Sequence, residues 1–168
     1  MLSPAKIIEK ARHSTWYRRL LNLSLNRLVP FNKPHGFRVV ELESYAVKVL
    51  LPYRKRNLNH IRGLHACALA TVSEFSTGLV LISQLNPREY RLIMQRLEMD
   101  YHYQGRTDAY ATFRISEEWL RDEILQPLES SDAVVTTCQV LVHDASGNHL
   151  TTGRVYWQIK KWSAVRKG

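Results

Sequence analysis

Two cysteines in 168 residues are too few for a disulfide framework, and Cys67 and Cys138 lack the close spacing of a metal-binding or redox pair. Both read as free thiols suited to a reducing compartment. No covalent staple is needed at this length, because a single domain buries roughly two-thirds of the surface its unfolded chain exposes. Uninterrupted apolar runs are wanting as well: MLSPAKIIEKARHSTWYRRLL is broken by charge every few residues, unlike a signal peptide or a membrane span. The expectation is a soluble, cytoplasmic protein with no transmembrane segment. Repeats, low-complexity tracts and linkers are absent too, so residues 1–168 are expected to form one domain, with 1–35 as an N-terminal helical extension and 36–168 as the core.

Acidic residues are scarce at the start. Residues 1–62 hold 13 Lys/Arg against Glu9, Glu41 and Glu43, a net +10, whereas residues 63–168 hold 11 against 12, a net −1. A field of that sign attracts polyphosphates, nucleic acid or anionic membrane without choosing among them, and also fits a plain solvated surface. Trp16-Tyr17-Arg18-Arg19 and Tyr53-Arg54-Lys55-Arg56 interleave rings with charges, but buried aromatic anchors beside solvated cations explain both. Nucleic acid is not the expected partner.

Over residues 4–27 the apolar positions follow an imperfect helical period, and Pro30 and Pro34 close the segment. It either packs its stripe on the domain or lies on a membrane surface as a basic amphipathic helix. FRVVELESYAVKVLLPY, residues 37–53, is rich in β-branched and aromatic residues and reads as a strand or two. From Ala66 to about Ser83 the chain is apolar on nearly every side, as a helix wrapped by other elements would be. Period-two segments follow, with Ile93, Leu97, Met99 and Tyr101 on one side of a strand. Ala109, Ala111, Phe113 and Ile115 mark the next. Ser116 caps a short helix that Pro127 ends, and a long hairpin turns at Ala145-Ser146-Gly147-Asn148. The sum is an α+β architecture: one long apolar helix inside a curved antiparallel sheet whose edges invite a second chain.

Glu74 is the anomaly in the buried helix. At 3.6 residues per turn it shares a face with Cys67, Ala70, Thr71, Thr77, Gly78 and Leu81, mostly small side chains that leave room beside a carboxylate. A charge there must be paired, opened on a cleft or held at a raised pKa. It therefore either pairs with an Arg, caps a backbone group or serves in catalysis. The helix start favours chemistry, since free N–H groups near Ala66, Cys67 and Ala68 and the helix dipole could hold an oxyanion. Cys67 and Glu74 lie about 10 Å apart along one helix, so two antiparallel copies would be needed to bring both to one reacting atom. His60 and His65 are five apart with no cysteine and carboxylate ligand set around them, so no metal site is expected; no cofactor is expected either.

The spacing Asn59, Gly63, His65, then Glu74 nine positions on, within this strand order, resembles the hot-dog-fold acyl-CoA thioesterases of the phenylacetic-acid-pathway and 4-hydroxybenzoyl-CoA type. The N-terminal helix and ALATVSEFSTG look closest to a bacterial branch of that superfamily of unknown function. The resemblance implies a hot-dog fold with an extra N-terminal helix. It implies Glu74 as general base or nucleophile, His65 and Asn59 bracketing the thioester, and the amides of Ala66 and Cys67 as oxyanion donors. Ala66-Cys67 stands where the family usually has Gly-Gly, a departure that would suit a non-catalytic acyl-binding protein. The substrate implied is an acyl-CoA or acyl-carrier thioester, handled by a homodimer or tetramer. Arg54, Lys55, Arg56 and Arg62 would clamp its phosphates, and Gly63, Thr71, Thr77 and Gly78 would line the cleft.

Overall fold

The computed structural model describes residues 4–165. Helices α1 (Pro4–His13) and α2 (Thr15–Leu28) precede strands β1 (Arg38–Leu42) and β2 (Ala46–Leu51), then the long helix α3 (Ala66–Gln84). Strands β3 (Tyr90–Tyr101) and β4 (Ala109–Arg114), helices α4 (Glu117–Leu120) and α5 (Gln126–Ser130), and strands β5 (Ala133–Asp144) and β6 (His149–Lys161) complete the order. All six strands form one antiparallel sheet in the order β1-β2-β4-β5-β6-β3. The sheet closes over α3, which packs against β2 to β6.

Alternation explains which face does so. In β6, Val155, Trp157 and Ile159 are buried against α3 together with Val140 and Val142 of β5 and Ala109, Ala111 and Phe113 of β4. α3 is apolar on most of its circumference because the sheet covers most of it. By length and hydropathy it could cross a membrane, but it is the core of the sheet, with Val72, Ser73, Ser76 and Leu81 fully buried. Its interior hydroxyls bond back to the helix's own carbonyls, Ser73 to Leu69 at 2.9 Å and Ser76 to Ser73 at 3.0 Å.

Three local expectations change, and one left open is resolved. The N-terminal segment is two helices, because Ser14 takes an extended conformation at φ −135°. Residues 37–53 form two strands, joined by a turn that Glu43 N–H closes onto the Ala46 carbonyl at 2.9 Å. Pro127 does not end its helix: one π-helical turn over Arg121–Leu125 shifts the hydrogen-bond register, so the proline falls in the first turn of α5, where no N–H is required. A bulge in β3 pairs Met94 with Trp157 and Arg96 with Tyr156, leaving Gln95 over. Parity therefore flips, and Leu92 and Met94 join Leu97 and Met99 on the inner side while Ile93 turns outward, 48% exposed.

Candidate active site

The loop before α3 is built around Asn57, which sequence reasoning passed over. Its fully buried amide donates to the carbonyls of His35 (2.9 Å) and Pro52 (2.8 Å), and its Oδ1 accepts from His35 Nδ1 at 3.0 Å. Its own carbonyl accepts the His65 N–H at 2.8 Å, which ties the helix start to this anchor. Asn59 then shapes the loop: its Oδ1 accepts the N–H groups of Ile61 (3.1 Å) and Gly63 (2.9 Å). Gly63 has no room for a side chain, since a Cβ would lie 2.7 Å from Gln104. Of the polar atoms of the Asn59 side chain, Nδ2 makes no hydrogen bond among the described residues.

His65 is the N-cap of α3. Its Nδ1 accepts the Cys67 N–H at 3.0 Å, which in the neutral ring puts the proton on Nε2 and leaves that nitrogen a free donor. This revises the implied oxyanion pair. The Cys67 amide is taken within the protomer, whereas the Ala66 N–H, at the first helical position, has no acceptor among the described residues. Tyr101, at the end of β3, donates its hydroxyl to the Ala66 carbonyl at 3.1 Å, and burial together with the Cys67 thiol raises its pKa. Nothing in the sequence linked residues 35 positions apart; only the β3–β6 pairing brings Tyr101 to the helix start.

Glu74 is half-buried on α3, in line with exposed Cys67 and half-buried Ala70 and Thr71. Its carboxylate makes no hydrogen bond or ion pair among the described residues, so the structural ion pair is not there. Burial alone raises its pKa above the ordinary carboxylate value. The rest of the expected face turns inward. Thr77 accepts the indole N–H of Trp157 at 3.0 Å, a Cβ on Gly78 would meet that indole ring at 3.0 Å, and Leu81 is fully buried. Thr77 and Gly78 are thus covered by Trp157 within the protomer, leaving Cys67, Ala70, Thr71 and Glu74 as the open stripe.

Of the four cations, Arg54 donates to the Pro34 carbonyl and lies over Gly36, so it braces the loop. Lys55, Arg56 and Arg62 are exposed and have no ion-pair partner among the described residues. Arg62 has a positive φ of 59°, a left-handed turn conformation, and its N–H donates to the Asn59 carbonyl at 3.1 Å. No group of three or more His, Cys, Asp or Glu among the described residues could hold a metal ion.

A family model described as a domain of unknown function, DUF4442, matches residues 18–165. No curated protein matches the chain. Among solved structures it is similar to a Pseudomonas aeruginosa protein of unknown function described as a "probable thioesterase" (20% identity, 91% of this chain and 95% of that one, TM-score 0.76). It is also similar to a thioesterase from Haemophilus influenzae (11% identity, 82% and 88%, TM-score 0.64). A third is a Staphylococcus aureus thioesterase bearing a glutamine-to-alanine replacement (12% identity, 79% and 99%, TM-score 0.64). A second structure of that protein carries a glutamate-to-alanine replacement 15 positions later. At these identities the likeness shows the fold: a hot-dog fold with an N-terminal helical addition.

Proposed function

The chain belongs to the DUF4442 family, and from that premise we propose that it hydrolyses the thioester of an acyl-CoA or acyl-carrier substrate, with Glu74 as base or nucleophile in a site completed by a second copy of the chain. The observation that carries this is Glu74 itself, a half-buried carboxylate with a raised pKa and no counter-charge among the described residues, on the open stripe of α3. Asn59 and Glu74 are 15 positions apart, the separation of the two residues replaced in the S. aureus thioesterase, which supports pairing them in one site.

Ala66 and Glu74 lie roughly 12 Å apart along α3 at 1.5 Å per residue, too far to share a reacting atom. An antiparallel α3 from a partner brings its helix start to this Glu74, and the unpaired edge of β3, running beside α3, supports such an assembly. Glu74 takes a proton from water, and the hydroxide adds to the thioester carbon. The partner's amide at the helix start and its capping imidazole Nε2–H hold the oxyanion; collapse breaks the C–S bond, releasing the thiolate and the carboxylic acid. Direct attack by the Glu74 carboxylate would instead give an anhydride that water then cleaves. Lys55, Arg56 and Arg62 supply charge for the phosphates of CoA.

The occupied Cys67 amide favours a second reading, a protein that binds acyl thioesters without turning them over. Both are tested by thiol release from short, long and aromatic acyl-CoAs. Glu74→Gln should lower kcat/KM by about 10²–10⁴-fold. Undiminished turnover in that variant would remove Glu74 from the chemistry. No turnover by the native protein, with acyl-CoA still raising its melting temperature, would establish the binding protein.

A further inference from the structure

Between Glu9 and Glu41 the chain holds no acidic residue, against seven Lys/Arg. Within that stretch α2 is apolar on two faces and uses one. Tyr17, Leu21 and Leu25 turn inward to the core. Asn22 locks that orientation by a two-way clamp on Val39 of β1, its amide donating at 3.1 Å and its Oδ1 accepting at 2.7 Å, and Arg18 donates to the Val40 carbonyl at 2.7 Å. The opposite face is thereby held outward. Trp16, Leu20, Leu23 and Arg27 follow the spacing of one helical stripe. Trp16 is 60% exposed and Leu23 50%; Leu28, the last residue of the helix, is 75% exposed, and Phe31 in the turn after it 68%. Arg19, Arg27 and Lys33 have no ion-pair partner among the described residues.

We propose that this face of α2 and the turn after it docks on an anionic lipid bilayer, Trp16, Leu23, Leu28 and Phe31 entering the headgroup boundary while the unpaired cations meet lipid phosphates. Exposed tryptophan and leucine flanked by arginine, in a stretch of sequence without an acid, is the composition of an interfacial helix. The sheet order argues against a second copy as occupant. α2 packs on β1, at one edge, and the β3 edge open to a partner is at the other. The inference stands independently of the thioesterase proposal.

Flotation of the intact protein with vesicles tests it. Phosphatidylcholine containing about one-third phosphatidylglycerol should carry the protein upward, neutral phosphatidylcholine should not, and salt should weaken the association. Trp16→Ser with Leu23→Ser, and separately Arg19→Glu with Arg27→Glu, should each lower the bound fraction about 10-fold without moving the melting temperature by more than a few degrees. In the native protein, brominated lipid should quench tryptophan emission, and Trp16→Phe should remove most of that quenching, which keeps the test independent of how the double variants fold. Absence of flotation with anionic vesicles, or equal flotation by all variants, overturns the proposal. So does a change in sedimenting mass of either double variant without lipid, which would make the face a contact between protein chains.

Discussion

Glu74 carries a measurable conflict between stability and chemistry. Burial raises its folded-state pKa above the ordinary value of 4.5, so the native state binds its proton more tightly than the unfolded chain does. Stability therefore falls as pH rises past the unfolded value, and the loss is complete above the folded one. Glu74→Gln should melt higher than the native protein near pH 8, with the gap closing as pH drops toward about 4.5, in melting curves taken across that range. A native protein that melts higher throughout would mean that the carboxylate has gained a counter-charge. With Glu74 as the proposed base, the same displacement should give the proposed hydrolysis a rising acid limb above the usual carboxylate range, to be read from the pH profile of kcat/KM. The two thiols should separate as sharply. Cys67 is exposed at the helix start, while burial pushes the Cys138 thiol up to about 12. A maleimide should modify Cys67 in the folded protein and Cys138 only after unfolding, and bound acyl-CoA should slow the first reaction; modification of Cys138 in the native state would contradict its burial.

Among the elements, the loop into α3 depends most on one side chain. Asn57→Ala removes the donor to two half-buried carbonyls and the acceptor of His35 Nδ1, so a loss of about 2–4 kcal/mol is expected from urea unfolding, with the proposed hydrolysis falling further as His65 loses its anchored backbone. A change below about 0.5 kcal/mol would show that water replaces the side chain. None of this was legible beforehand, because Asn57 acts through His35 and Pro52, and a polar residue in a basic loop reads as solvated. What could be read was whatever periodicity or a cap announces locally. α3 stood out by being apolar on nearly every side, Ser116 caps α4 with its Oγ accepting the Trp119 N–H at 3.0 Å, and the hairpin turns where Gly147 supplies a positive φ of 86°. The bulge at Gln95 and the π-helical turn before Pro127 are one-residue shifts in hydrogen-bond register, and the break at Ser14 is a single extended residue, all of which leave composition and hydrophobic pattern almost intact. Glu74 was legible as an anomaly; that its carboxylate lacks a counter-charge had to be seen in three dimensions.

At the scale of the whole molecule, β1 and β3 are the sheet edges, and they differ: β1 has five residues with α1 and α2 against it, while β3 has twelve with Ile93 and Met94 exposed. A long edge of this kind invites pairing. Sedimentation should give the mass of two chains, and Ile93→Lys with Met94→Lys should give one, with hydrolysis lost in proportion; a monomer of undiminished activity would place the whole site in one protomer. The strand order also constrains when that edge can exist. Among the described residues β3 pairs with no strand but β6, which begins 48 residues after β3 ends, whereas β5 and β6 meet across a tight turn. Closing the longer loop costs more chain entropy, so the β5–β6 hairpin is expected to form first and to serve as the template on which β3 settles. During synthesis the strand that would join two chains thus stays unplaced until β6 has been made, and self-association waits for a finished sheet.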